Sequence, residues 1–128
     1  MTGRLLLSGA ALALVLSAPA FAQFDGEWQT NFGRMHLQQQ GSHVQGDYEK
    51  NVGRLDADAD GHDLSGIWAQ DDSDHRCREK RMDTHYWGHF KLHLDDNGKV
   101  FHGYRSTCDD GAAASGGYWT GSRWDRDN

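Results

Sequence analysis

The chain of 128 residues contains one proline and two cysteines, and its basic residues are few, 13 against 19 acidic ones. A chain this acidic is a poor partner for a phosphate backbone, so the composition argues against nucleic-acid binding. The single long apolar run, residues 5–16, is too short for a membrane helix, and no stop-transfer segment follows it. The composition therefore argues against an integral membrane protein as well.

The N-terminus has the organisation of a secretory signal peptide. Arg4 precedes the apolar run, and Ala20-Phe21-Ala22 supplies the small residues that signal peptidase requires. We expect cleavage near Ala22, which removes residues 1–22 and leaves one domain over residues 23–128, periplasmic or secreted. Loss of Arg4 leaves 12 basic and 19 acidic residues, a net charge of −7.

The alternation of polar and apolar residues from residue 26 onward predicts an all-β fold. It has period two, and no stretch has helical periodicity. Eight antiparallel strands with nearest-neighbour connections and one apolar face predict a closed up-and-down β-barrel, with a two-sheet β-sandwich as the alternative. The predicted strands cover residues 26–30, 34–38, 44–48, 53–59, 64–68, 86–94, 101–105 and 117–123.

Two hairpins allow the pairing register to be predicted. In both, one register brings the apolar residues to the same face of the sheet, as a buried side requires. In the hairpin that turns at residues 41–42, the predicted opposing pairs are Leu37 with Gly46 and Met35 with Tyr48. In the hairpin that turns at residues 95–98, they are Leu92 with Phe101 and Phe90 with Gly103.

The two long connections, residues 71–85 and 107–116, lie at the same end of such a barrel because successive strands alternate in direction. Each connection contains one of the two cysteines, Cys77 and Cys108. An even pair of cysteines in an oxidising compartment is most simply one disulfide. We therefore predict a Cys77–Cys108 bridge that joins the two loops at the open rim.

The residues that face inward suggest the first functional hypothesis. An eight-stranded barrel is just wide enough to hold one small ligand or to be filled by side chains. Two inward cations, Lys50 and Arg105, above an aromatic interior suit an apolar ligand with a carboxylate or similar head group. The alternative is that both cations reach solvent and pair with rim acids such as Asp71 or Asp109. The predicted ligand-binding residues are Tyr48, Lys50, Trp68, Tyr86, Phe90, Arg105 and Trp119.

We thus expect an exported, monomeric, non-enzymatic binding protein for a small amphipathic or aromatic ligand. The second hypothesis is a protein-interaction module, such as an inhibitor of an exported hydrolase, that acts through the two long loops. A continuous cavity of several hundred cubic ångströms favours the first hypothesis. A filled barrel with ordered, projecting loops favours the second.

Metal and catalytic patterns are incomplete. Residues 56–61 begin like a calcium loop, but Ile67 stands where a bidentate glutamate is required. The outward residues His89, His93 and His102 lie close enough to share a metal, but the sequence offers no obvious carboxylate to orient them. We predict no metal and no cofactor.

A hydrolase constellation is not supported either. Ser73, Asp83 and His85 are suitable residue types, yet the chain has no nucleophile elbow and no oxyanion-hole glycine motif. We predict no catalytic residue.

The short motifs at the two ends of the domain resemble those of the calycin group, the avidins and lipocalins. They are the opening Gly26-Glu27-Trp28, strands ending in Gly-x-Tyr or Gly-x-Trp, and the closing Gly121-Ser122-Arg123. Small exported bacterial proteins with a Gly-x-Trp-x-Thr opening are similar too. The resemblance implies that Arg123 stacks on Trp28 and closes one end of the barrel.

Biotin binding of the avidin type is not implied. Only Tyr48 matches the residues that hold biotin in avidins, because Thr30, Arg34 and Lys50 stand at the other aligned polar positions.

Overall fold

The computed structural model describes residues 3, 22–110 and 115–124, and these form eight β-strands. The expected signal peptide lies outside the described residues apart from Gly3 and Ala22. In the described part of the chain, no helix is long and apolar enough to cross a membrane. The strands are β1 Gly26–Thr30, β2 Gly33–Gln40, β3 His43–Tyr48, β4 Gly53–Asp60, β5 Asp63–Gln70, β6 Tyr86–Leu94, β7 Val100–Arg105 and β8 Gly117–Arg123.

The strands form one closed sheet. Each strand pairs antiparallel with its neighbours in sequence, and β1 also pairs with β8. The predicted eight-stranded up-and-down barrel is confirmed, and the two-sheet sandwich is not formed. Closure gives every described strand backbone partners on both sides.

The side chains alternate between a buried inner face and an exposed outer face along most strands. The inward residues make one apolar cluster that runs the length of the barrel. Its largest fully buried members are Trp28, Trp68, Trp119, Phe24 and Phe101. The barrel is therefore filled along its axis by aromatic and aliphatic side chains.

The predicted register is confirmed for the β2–β3 hairpin and is wrong by two residues for the β6–β7 hairpin. Leu92 opposes Gly103 in the structure, and Phe101 opposes Leu94. The turn is shifted by one residue toward the C-terminus, because the Asp95 amide donates to the carbonyl oxygen of Val100, at 2.9 Å, and residues 96–99 lie between them. A two-residue shift keeps every side chain on its predicted face, so the core is unaffected.

One end of the barrel, which we call the turn end, contains the short connections 41–42, 61–62 and 95–99. Here the guanidinium of Arg123 lies 4.4 Å from the centre of the Trp28 ring, so the contact that the resemblance implied is present. Arg123 also donates to the carbonyl oxygens of Gly98 and Asp25, at 2.9 and 2.8 Å. These bonds tie the N-terminal segment and the β6–β7 turn across this end.

The opposite end, the loop end, contains the connections 31–32, 49–52 and 71–85 and the described residues 106–110 and 115–116 of the last connection. Cys77 and Cys108 form the predicted disulfide there, with Cα atoms 5.6 Å apart. Cys77 also packs with Ala69 and Trp87 in a second buried cluster on the outside of the barrel. The β5–β6 connection is thus held against the barrel wall by a covalent bond and by apolar packing.

Removal of the disulfide is expected to lower the free energy of unfolding by about 3–4 kcal/mol. The bridge joins positions 31 residues apart, and cross-linking a loop of that length restricts the unfolded chain by this amount in the chain-entropy model. Urea denaturation of a Cys77→Ala/Cys108→Ala variant measures the loss. Wild-type protein under reducing conditions serves as the control and should match the variant. A loss under about 1 kcal/mol would contradict the expectation.

Candidate functional site

Arg105 is the last residue of β7 and points into the barrel at the loop end. Its side chain is almost completely buried, with 3% exposed. The guanidinium carbon lies 3.8 Å from the centre of the Trp68 ring and 4.3 Å from that of Phe32. The rings of Trp119 and Tyr48 are 5.3 and 5.9 Å away. Four aromatic rings therefore surround the cation, and their electron-rich faces stabilise its positive charge.

A short chain of hydrogen bonds holds one side of the guanidinium. The side-chain oxygen of Gln70 accepts from Arg105 Nη2 at 2.9 Å and from the Tyr48 hydroxyl at 2.8 Å. The Gln70 amide nitrogen donates to the carbonyl oxygen of Asp72 at 3.0 Å, which fixes the orientation of the amide. Tyr48 and Gln70 are themselves buried, so this network belongs to the interior.

Two buried donors at this site have no hydrogen-bond acceptor among the described residues. They are Arg105 Nε and Trp119 Nε1. By contrast, the indole of Trp68 donates to the Ser106 carbonyl oxygen, and that of Trp28 to Phe24, both at 2.9 Å. Buried donors are nearly always paired in folded proteins, so an unpaired donor of the cation and another on a neighbouring indole indicate a place for an acceptor.

The positive charge of Arg105 is not balanced nearby. Within the part of the chain that the structure describes, no carboxylate forms an ion pair with it. Burial lowers the pKa of Arg105 to about 10, although the Tyr48 hydroxyl opposes this effect. Burial likewise raises the pKa of Tyr48 to about 12, against the opposing influence of Arg105. At neutral pH the site is therefore a charged guanidinium beside a neutral phenol.

Phe32 covers the site from the solvent side. It lies in the two-residue turn between β1 and β2, is half-buried, and contacts Trp119 edge to face with ring centres 5.6 Å apart. Thr30 orders the turn, because its hydroxyl donates to the Gly33 carbonyl oxygen at 2.7 Å and accepts from the Phe32 amide at 3.0 Å. Phe32 is the main site residue that alternation missed, since turn residues have no assigned face.

Five of the seven predicted ligand-binding residues lie together here: Tyr48, Trp68, Phe90, Arg105 and Trp119. Phe90 belongs to the site through Trp119, with ring centres 5.2 Å apart. Tyr86 is only half-buried at the start of β6, opposite Gln70. The other predicted aromatic residues thus lie together around Arg105, and Tyr86 lies at the edge of the site.

Lys50 does not face inward as predicted. Strand β3 ends at Tyr48, and residues 49–52 form a turn in which Asn51 and Val52 have positive φ angles, so alternation stops before Lys50. The side chain is exposed, and its ammonium lies 5.0 Å from the centre of the Phe32 ring, on the solvent side. Arg105 is therefore the one predicted rim cation that the barrel buries.

The structure locates the residues of the calcium-loop and hydrolase patterns. Asp56 and Asp58 are exposed on β4 and contact His43, at 3.3 and 3.7 Å, rather than forming a loop around a cation. His85 Nδ1 lies 3.0 Å from the carbonyl oxygen of Cys77, so a backbone group is the partner of this ring nitrogen.

Comparison with known proteins assigns no relative: the chain matches no family model, no curated protein and no solved structure. The fold class thus rests on the barrel itself, and the calycin resemblance stays a prediction.

Replacing Arg105 by methionine is expected to raise the free energy of unfolding by about 1 kcal/mol. The variant removes a buried, unbalanced charge and fills its place with a flexible apolar side chain that contacts the same rings. Urea denaturation followed by tryptophan fluorescence measures the change.

Arg123→Met at the turn end is the matched control. Its guanidinium donates to backbone carbonyl oxygens, so we expect a loss of about 2 kcal/mol. An equal loss in Arg105→Met would identify Arg105 as a structural brace and contradict the interpretation of the site.

Proposed function

We propose that this protein is an exported, non-enzymatic binding protein. Its ligand is a small aromatic or apolar molecule with a carboxylate or another anionic head group, taken up at the loop end of the barrel. The observation that carries the proposal is the pair of unpaired buried donors, Arg105 Nε and Trp119 Nε1, beside an unbalanced positive charge.

The head group supplies what the site lacks. A carboxylate oxygen accepts from Arg105 Nε and Trp119 Nε1 and places a negative charge beside the guanidinium. Hydrogen bonds between charged groups contribute about 1.5–3 kcal/mol each, more than neutral ones. The low dielectric of the surrounding aromatic rings strengthens the attraction further. A neutral ligand of the same shape forgoes this contribution.

The apolar body of the ligand takes the place of the Phe32 ring. The barrel axis is filled by side chains, so a ligand does not enter a preformed central cavity. The Phe32 ring already lies 4.3 Å from the Arg105 guanidinium, which supports the idea that an aromatic group fits at this position. Phe32 sits on a two-residue turn, and its displacement leaves the eight strands intact. The site is thus at the rim, shallower than the sequence suggests.

Export is supported by two observations. The first is the N-terminal pattern of a charged residue, an apolar run and small residues before Ala22. The second is the disulfide between Cys77 and Cys108, because such bonds persist in oxidising compartments.

The test uses 2-naphthoate as an anionic aromatic probe and 2-naphthylmethanol as its neutral counterpart. We expect 2-naphthoate to quench the fluorescence of the buried tryptophans and to bind at least tenfold more tightly than the alcohol, a difference of about 1.4 kcal/mol. Arg105→Met should abolish the preference. Phe32→Ala should increase the affinity for 2-naphthoate, because the ring no longer competes with the probe.

Arg34→Met is the control, because Arg34 stacks on Trp124 on the outside of the barrel, 4.5 Å from the ring centre. Its affinity for 2-naphthoate should equal that of the wild type. Equal binding of the two probes, or an Arg105→Met variant that still prefers the anion, would refute the proposal.

A second candidate function, contact with another protein through the loop end, is favoured by the filled barrel and by the strained residue Val52. Val52 has a φ of 56° and 65% of its surface is exposed. A β-branched residue is unfavourable at positive φ, and such strain is commonly kept at functional sites. Arg54 holds this turn by donating to the Val52 carbonyl oxygen at 3.0 Å and to that of Met82 at 2.9 Å.

Val52→Gly is expected to raise the free energy of unfolding by about 1 kcal/mol, because glycine adopts positive φ without strain. Val100→Gly is the control, since Val100 is also exposed but lies in the extended strand β7, where glycine is destabilising. Thermal denaturation of both variants measures the difference. If Val52→Gly is no more stable than the wild type, the strain argument for this second candidate fails.

A further inference from the structure

Three histidines form a row on the outer face at the turn end of the barrel. His93 of β6 lies directly opposite His102 of β7, with ring centres 6.0 Å apart. On its other side, 6.3 Å away, is the ring of His62 from the β4–β5 turn. His93 and His102 are exposed and His62 is half-buried. This row lies at the opposite end of the barrel from the Arg105 site and has no part in the proposed function.

The hydrogen bonds of two of these rings determine which nitrogen has a free lone pair. His62 Nδ1 lies 3.1 Å from the carbonyl oxygen of Leu94, and His93 Nδ1 lies 2.9 Å from a carboxylate oxygen of Asp63. A carbonyl oxygen and a carboxylate only accept, so Nδ1 carries the proton in both neutral rings. Nε2 of each ring is then unprotonated and able to bind a metal.

This arrangement is the one that metal-binding histidines have in proteins. Their second ring nitrogen almost always donates to a carboxylate or a backbone carbonyl oxygen, which orients the ring and makes the coordinating nitrogen more basic. Asp63 supplies the carboxylate that the sequence did not reveal, because it lies in β5, directly opposite His93 in the pairing of β5 with β6. Asp95, whose charge interacts with His102, adds negative charge close by.

We propose that His62, His93 and His102 bind one divalent transition-metal ion of the Zn²⁺ class, through Nε2 of His62 and His93 and one ring nitrogen of His102, with Asp63 as the positioning residue for His93. In this structure no three ligating side chains of the described residues converge on one point, so the rings must rotate to close on the ion. Two imidazoles that share a tetrahedral Zn²⁺ have ring centres about 5 Å apart. The spacings of His62 and His102 from His93 exceed this by about 1 Å. These two rings lie on opposite sides of His93 and are further still from each other, so both must swing toward His93 by side-chain rotation at the surface, while His93 keeps its bond to Asp63.

His89 does not belong to this site, although the sequence grouped it with His93 and His102. It lies four residues before His93 on β6, a distance of about 13 Å along an extended strand. Its Nε2 is 3.0 Å from a carboxylate oxygen of Asp109 at the loop end. His62 takes its place in the row. Three histidine ligands leave one position of a tetrahedral ion open to water or to an atom of another molecule.

The test is isothermal titration of the mature chain with Zn²⁺ alone. We expect one equivalent to bind per chain and the affinity to fall at least tenfold in His93→Ala. Asp63→Asn should also weaken binding, by 10- to 100-fold, although all three imidazoles remain. His89→Ala is the matched control, since this histidine is exposed on the same strand and face, and its affinity should equal that of the wild type.

Circular dichroism checks that each variant is folded, which we expect because the replaced side chains face outward. Loss of affinity in His89→Ala equal to that in His93→Ala would indicate adventitious binding to surface histidines and overturn the proposal. Unchanged affinity in folded His93→Ala would overturn it as well. An unchanged affinity in Asp63→Asn would refute the positioning role.

Discussion

The pairing of β1 with β8 is the constraint on which the rest of this structure depends. Alternating side chains create an interior only if the sheet closes, and the closing pair joins just three residues of each strand, Trp28 to Thr30 with Arg123 to Gly121. Arg123 reinforces the junction, because its guanidinium covers the Trp28 ring and bonds to carbonyl oxygens of two other segments. The aromatic interior, and hence the low dielectric around Arg105, exists because this junction holds.

Closure of the barrel excludes water from the polar groups at the loop end, so a missing hydrogen bond or counter-charge there costs free energy. A guanidinium in water has its hydrogen bonds satisfied by solvent, whereas among the described residues Arg105 Nη2 donates to Gln70, Nε has no acceptor, and four rings surround the group. Natural sequences that keep an unbalanced buried charge usually do so where it is used. The same principle applies to Val52, whose backbone strain lies at the same end of the barrel. The strain and the unbalanced charge are therefore concentrated at the loop end. At the turn end, the buried polar side-chain atoms of the described residues have hydrogen-bond partners.

Much of the fold and part of the site could be predicted from the sequence. The strands, their order, the inward faces of Trp68 and Trp119 and the disulfide follow from alternation and connection lengths. The β6–β7 register could not be predicted, because it depends on the backbone bond from Asp95 to Val100, which residue type does not specify. Phe32 and Lys50 lie in turns, where period-two reasoning assigns no face.

The sequence by itself determined which side of each strand every residue occupies, because alternation is a property of neighbours along the chain. Only the tertiary structure decided which residues from different strands meet. That choice depends on the lengths of the turns and the stagger of the strands around the barrel, which are properties of the closed sheet. For this reason the guanidinium of Arg105 lies between Phe32 and Trp68, and His62, not His89, lies beside His93.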